Sequence, residues 1–142
     1  MDGYASMIMG LHDRKSVLLA DDHEDFLAAA VRHLEPHFDV LKAVADGQAL
    51  LDEAARLGPD VVVLDISMPM LNGIEAARRL KAAGSPARIV FLTMHADPDY
   101  VRAALATGAL GYVVKSRLAS DLLPSIREAL AGRSFVSPCI SL

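Results

Sequence analysis

Short apolar runs and longer stretches of helical spacing alternate along the chain. Ser16 to Ala20, Phe38 to Val44, Val61 to Leu64, Arg88 to Leu92 and Gly111 to Val114 form the runs. They are rich in Val, Leu, Ile and Phe, which marks strands buried on both faces. Between them the period changes to that of an amphipathic helix. Leu27, Ala30, Val31 and Leu34 share one face of a segment that starts at Glu24 and is closed by Pro36. Gln48 to Arg56 is a second helix, stopped by Gly58-Pro59, and Gly73 to Ala83 a third, with Ile74, Ala77 and Leu80 on one face. Asp97-Pro98 opens the fourth, with Asp as N-cap and Pro at the first helical position, and Gly108 ends it. The last runs from Ser120 to Ala131 on Leu122, Leu123, Ile126 and Leu130. Pro124 interrupts its pattern and is tolerable only near a first turn. Strand and helix in alternation predict an α/β fold: one parallel sheet covered on both faces, with right-handed crossovers.

The 142 residues suit one domain with one core, and a 53% hydrophobic, 23% charged composition is that of a globular protein. A net charge of -4 argues against a nucleic-acid-binding surface, and no apolar stretch reaches membrane-spanning length. The single Cys139 excludes an internal disulfide and fits a cytoplasmic protein. Residues 1–14 read as a flexible N-terminal extension without the marks of a signal peptide.

Candidate chemistry lies where the strands stop. Successive runs end in Asp21-Asp22, Asp65, Thr93 and Lys115. Parallel strands point the same way, so these side chains share one sheet edge, where open α/β sheets bind ligands. Clustered carboxylates repel unless a cation neutralises them, and an all-oxygen donor set suits Mg2+. Asp is also a nucleophile that forms aspartyl-phosphate. A phosphoryl group on Asp65 would need the charge of Mg2+ and of the Lys115 ammonium, and the Thr93 hydroxyl could donate to it. Each residue alone has a plainer reading. Asp21-Asp22 and Asp65 could be caps, Thr93 a strand-end residue and Lys115 a solvated lysine. His23 and His95 read as loop residues, and Met68, Met70 and Met94 as packing or surface residues. Joint placement at successive strand ends favours the chemical reading.

Asp21-Asp22, LDISMPMLNG around Asp65, the strand end at Thr93 and GYVVK ending at Lys115 resemble the receiver domain of two-component response regulators. LTMHADPDYVRAALATGALGYVVKS and AGRSFVSP resemble its NarL/FixJ-like (LuxR-type) group. The resemblance covers residues 15–135 and leaves 136–142 as a tail or the start of a linker, too short for an output domain. It implies a flavodoxin-like (CheY-like), doubly wound, five-stranded sheet of order 2-1-3-4-5. It also implies that Asp65 accepts a phosphoryl group from a sensor histidine kinase. Mg2+ would be bound by Asp21, Asp22, Asp65 and the Ser67 backbone carbonyl. Thr93, Lys115 and the switch aromatic Tyr112 would respond to the phosphate, and Ser67, Met94 and His95 would tune access and lifetime. Ser116 follows Lys115 where many receivers have Pro, so a cis peptide is not expected. Phosphorylation-linked homodimerisation and control of transcription through a C-terminal helix-turn-helix domain are further implications, with DNA reached only through that domain. A stand-alone receiver working by protein contacts or phosphorelay is the variant reading. A Mg2+-dependent aspartyl-phosphate phosphatase ranks below it, since Ser67 stands where a general acid would be. A flavin- or nucleotide-binding module ranks last, because Ala20-Asp21-Asp22-His23 would repel phosphate.

Overall fold

The computed structural model describes residues 14–140; the N-terminal extension read from the sequence lies, apart from Arg14, outside the described residues. Its elements in chain order are β1 (Ser16–Ala20), α1 (Glu24–Leu34), β2 (Asp39–Val44), α2 (Gly47–Leu57), β3 (Val61–Leu64), α3 (Gly73–Ala82), β4 (Arg88–Thr93), α4 (Pro98–Ala106), β5 (Gly111–Val114), α5 (Leu118–Leu130) and β6 (Phe135–Val136). All pairings are parallel, in the order β2-β1-β3-β4-β5-β6. The expected order 2-1-3-4-5 is present, and a short further strand, β6, lies beside β5.

Strand side chains alternate between two cores. Leu18, Val62, Leu64, Ile89, Phe91 and Tyr112 face α2, α3 and α4, where they meet Leu50, Ala77, Leu80 and Val101. Val17, Leu19, Val61, Val63, Leu92 and Val113 face α1 and α5, where they meet Leu34, Leu122 and Ile126. Both faces are covered, so the strands need no polar side. Burying a Val or Leu side chain contributes roughly 1.5–3 kcal/mol, and this apolar ladder fixes the register that carries each strand-end residue to the edge.

Local chemistry sets the helix starts. Asp46 caps α2 by accepting from Ala49 N at 2.7 Å, and Asn72 caps α3 by accepting from Glu75 N at 2.9 Å. Asp97 occupies the N-cap position of α4 with Pro98 next, but its side chain makes no cap bond. Helix α5 departs from expectation. A 3-10 turn over Lys115–Arg117 leads directly into it, so it starts at Leu118 rather than Ser120. Pro124 therefore lies well inside the helix. Leu118, Leu122, Ile126 and Ala129 are all buried, and that packing overrides the lost backbone bond. Ser120, whose carbonyl loses the Pro124 N–H, is exposed.

Candidate functional site

β1, β3, β4 and β5 stop at the same edge, and the sequence-predicted residues meet there. Asp65 and Asp21 are buried, as are Thr93 and Lys115, while Asp22 is exposed. Backbone bonds hold the two buried aspartates: Asp65 N donates to Ala20 O and Asp21 N to Val44 O, each at 3.0 Å. Asp65 is further fixed by Ile66 N, which donates to its Oδ1 at 2.7 Å. The turn after β3 then closes on itself, with Gly73 N donating to Ile66 O at 2.7 Å. Gly73 is required there, because a Cβ at that position would fall on the Asp65 carbonyl.

Lys115 is the centre of the charge arrangement. Its Nζ lies 2.8 Å from Asp21 Oδ2 and 3.0 Å from Asp65 Oδ2, and its side chain is 1% exposed. The plain reading of a solvated lysine is therefore wrong. The ammonium also sits 4.6 Å from the centroid of the Phe26 ring, a cation–π contact from the first turn of α1.

His23 enters the same cluster. Its Nδ1 is 3.2 Å from Asp21 Oδ1, 3.4 Å from Asp22 Oδ1 and 3.0 Å from Lys115 Nζ. One imidazole nitrogen cannot both donate to Asp21 and accept from Lys115, so its proton decides which contact is favourable. The ligand atoms of Asp21, Asp22, His23 and Asp65 all lie within 4.8 Å of one another, a separation that one metal ion can bridge. The capping reading of Asp21-Asp22 does not hold: His23 is the N-cap residue of α1, and Asp21 Oδ1 instead accepts from His23 N at 2.9 Å. The sequence reading of His23 as a plain loop residue misses this role, and Phe26 was not singled out at all. Phe26, three positions beyond His23 on an acidic first turn, was the available signal.

A second group of residues lies across the edge. Thr93 is fully buried, and its Oγ1 accepts from His95 N at 3.4 Å. Ser67 Oγ and His95 Nε2 are 2.8 Å apart, which joins the loop after β3 to the loop after β4. The His95 ring stacks on Tyr100 at 4.2 Å. Tyr112 lies inside the core, and its hydroxyl donates to His95 O at 2.7 Å. Burial, with the charges of Asp65 and Asp97 added, pushes its phenol above the ordinary tyrosine range. Met94, which follows Thr93, is 64% exposed.

Beside Asp22 a cleft of about 640 Å³ is lined by Ser67, Met68, Asn72, Arg78 and Tyr100. Met70, in the same loop after β3, is 82% exposed with φ +70°. Leu71 N donates to Pro69 O at 2.7 Å across it, the bond of a γ-turn, which is strained for a residue with a side chain.

Chemically, the edge presents two buried carboxylates and one exposed one around a single buried ammonium. That set offers oxygen ligands of the kind a hard cation takes, with the Asp65 carboxylate at the end of β3 among them.

Comparison with known proteins adds an independent finding. Residues 17–127 match the family described as "Response regulator receiver domain". The chain is 32% identical over 127 residues to the transcriptional regulatory protein DegU of Brevibacillus brevis, covering 88% of this chain and 54% of that one. It is 31% identical over 136 residues to the nitrate/nitrite response regulator protein NarL of Escherichia coli (strain K12), covering 94% of this chain and 62% of that one. The chain thus spans 54% and 62% of the length of these two curated relatives. A solved two-component response regulator of the LuxR family from Aurantimonas sp. SI85-9A1 superposes with TM-score 0.85 at 34% identity, over 90% of this chain and 93% of that one. The signal receiver domain of the putative response regulator NarL from Mycobacterium tuberculosis gives TM-score 0.81 at 29% identity, over 84% and 98%.

Proposed function

The chain belongs to the response regulator receiver domain family, a family of phosphoacceptor switches rather than catalysts, and on that premise we propose that Asp65 is its phosphorylated residue. The observation that carries this reading is the buried Asp65 carboxylate at the end of β3, 3.0 Å from the buried Lys115 ammonium and next to Asp21 and Asp22. The donor is the phosphohistidine of a sensor histidine kinase. One Asp65 oxygen attacks phosphorus, the P–O bond forms, the P–N bond breaks, and the departing imidazole takes a proton from solvent.

Mg2+ fits the donor set, because three carboxylates face one ammonium and leave net negative charge. Asp22 and Asp65 would hold it, with Asp21 acting mainly through a water and the Ser67 carbonyl as a further ligand. Bound there, it supplies positive charge against the developing charge of the phosphoryl oxygens. Lys115 pairs with the phosphoryl oxygens in place of Asp21, and the Thr93 hydroxyl donates to them. Thr93 is linked through His95 to Tyr112, so its movement reaches the switch aromatic by way of one loop. Ser67 and His95, two positions beyond Asp65 and Thr93, would tune the phosphoryl lifetime, and Met94 access to the phosphate. The response is a population shift between two arrangements, biased by one local charge.

DegU is named as a transcriptional regulatory protein, and control of transcription is the output we propose here. DNA would be reached through a helix-turn-helix region in the part of the relatives that this chain does not span, with two copies pairing on phosphorylation. Among the described residues no helix is long and apolar enough to cross a membrane, and a cytoplasmic site of action fits a kinase-fed switch.

The test is intact mass after incubation with a small phosphodonor and Mg2+. One phosphoryl adduct is expected, dependent on metal and absent from Asp65→Asn. No adduct, together with no binding of beryllofluoride, would overturn the reading.

A further inference from the structure

The chain beyond α5 returns to the sheet and ends up bonded to the strand that delivers Lys115. Phe135 pairs with Gly111 and Val136 with Tyr112. Ser137 N donates to Tyr112 O at 2.9 Å. The Ser137 side chain then turns inward. It is fully buried, accepts from Val114 N at 3.1 Å and donates to Asp121 Oδ2 at 2.8 Å. Asp121, on the first turn of α5, is itself buried and also accepts from Arg117 Nε at 2.8 Å and Ser120 Oγ at 2.9 Å.

These bonds have a common target. Val114 immediately precedes Lys115, and Arg117 closes the 3-10 turn that Lys115 opens. One carboxylate therefore holds both ends of that turn, one end directly and the other through the Ser137 hydroxyl. A buried carboxylate with its bonds satisfied is a stiff anchor, because any displacement leaves a charged or polar group unpaired. Lys115 reaches Asp21 and Asp65 from the middle of the segment so fixed.

Resting on the phosphoacceptor reading above, we infer that Asp121 and Ser137 are positioning residues for Lys115: they set the turn that aims its ammonium at the phosphorylation site. They also join the chain leaving α5 to that site through a single hydrogen-bond network. Coupling of this kind is reciprocal, so displacement of Lys115 on phosphorylation would bear on the docking of β6 by the same factor.

The experiment uses the whole chain, with Ser137→Ala, Lys115→Ala, the double variant and Asp121→Asn, each checked for folding by circular dichroism. The first readout needs no phosphoryl group: hydrogen exchange of the Lys115 ammonium, followed by side-chain nitrogen NMR on the metal-free protein. Ser137→Ala is expected to speed it about three- to tenfold, the weight of one internal hydrogen bond. The second is the affinity for beryllofluoride with Mg2+. Ser137→Ala is expected to weaken it by a similar factor in the parent and by less than about twofold in the Lys115→Ala background. Asp121→Asn, which keeps the shape, moves both readouts in the same direction and serves if Ser137→Ala does not fold. Unchanged Lys115 exchange in the folded variants, or equal affinity losses in both backgrounds, would overturn the inference and leave Ser137 a purely structural staple. If the parent itself binds no beryllofluoride and takes no phosphoryl adduct, the phosphoacceptor reading falls, and the Lys115 exchange alone decides whether these residues position it.

Discussion

Lys115→Met isolates what the buried ammonium does before any phosphoryl group arrives. The variant keeps the apolar stem and removes the charge that lies 2.8 Å from Asp21 and 3.0 Å from Asp65. At an effective dielectric of about 20, each contact is worth about 6 kcal/mol of Coulomb attraction. Desolvating three ions takes back several kcal/mol per ion, so the intact cluster contributes little net stability. Removing the cation alone is different, because two carboxylates stay buried with no ammonium between them. Breaking a buried pair in this way costs about 3–5 kcal/mol, and that is the expected loss in equilibrium urea unfolding without metal. Mg2+ should then restore much of it. A ligand at about a hundred times its dissociation constant adds about 2.7 kcal/mol, and the variant should gain more than the parent because no ammonium competes for the carboxylates. Metal-free Lys115→Met as stable as the parent would refute the charge-balance argument, as would equal stabilisation of both proteins by Mg2+.

Other outcomes follow from single groups. Ser125 Oγ is buried without a partner, so Ser125→Ala should be neutral or stabilising by about 1 kcal/mol. A Cβ on Gly111 would fall on that oxygen and lie 2.8 Å from a Val90 methyl. Gly111→Ala should therefore cost about 1–3 kcal/mol alone and less in the Ser125→Ala background, as a double-mutant cycle by thermal melting would read. The folded-state Tyr112 phenol is held above its ordinary value by burial and nearby negative charge. Its contribution to stability is complete at neutral pH and is lost as pH rises from the unfolded tyrosine range, about 10, through the higher folded value. Tyr112→Phe should flatten that alkaline limb and cost about 1 kcal/mol at neutral pH through the orphaned His95 carbonyl. Burial works to raise the Asp121 carboxyl, but bonds from Arg117, Ser137 and Ser120 together outweigh it and hold the group below its usual value. Its stabilisation is present above the unfolded carboxylate range and lost as pH falls through the folded value, so Asp121→Asn should be less sensitive to acid unfolding.

The strands were legible because burial on both faces leaves an unbroken apolar run, and Val61 to Leu64 has no other reading in a chain that alternates with helices. The carboxylates and Lys115 were legible for a related reason: in a parallel sheet, ending a strand fixes where its last side chain goes. His23 was not, because its role depends on the path of the first turn of α1, where a single nitrogen comes within reach of three carboxylates. Phe135 and Val136 were not, because two apolar residues among polar ones carry no period. The start of α5 was misplaced by Pro124, whose local penalty is smaller than the packing of Leu118 and Leu122 beneath it. Ser137 and Asp121 meet only in space; nothing in their spacing announces a contact between the end of the chain and the first turn of α5.

The small sixth strand also protects the protein from itself. An unpaired β5 would offer neighbouring molecules a row of free backbone donors and acceptors on the buried apolar sequence Gly111-Tyr112-Val113-Val114, the kind of edge that seeds intermolecular sheets. β6 occupies that row for two residues, and the exposed Pro138 follows almost at once, which has no N–H to extend the ladder. The opposite edge, β2, is guarded differently, by the exposed charges of Asp39 and Lys42. A fragment cut after Leu130 would keep every helix and the whole acidic cluster and yet lay β5 open as an adhesive edge.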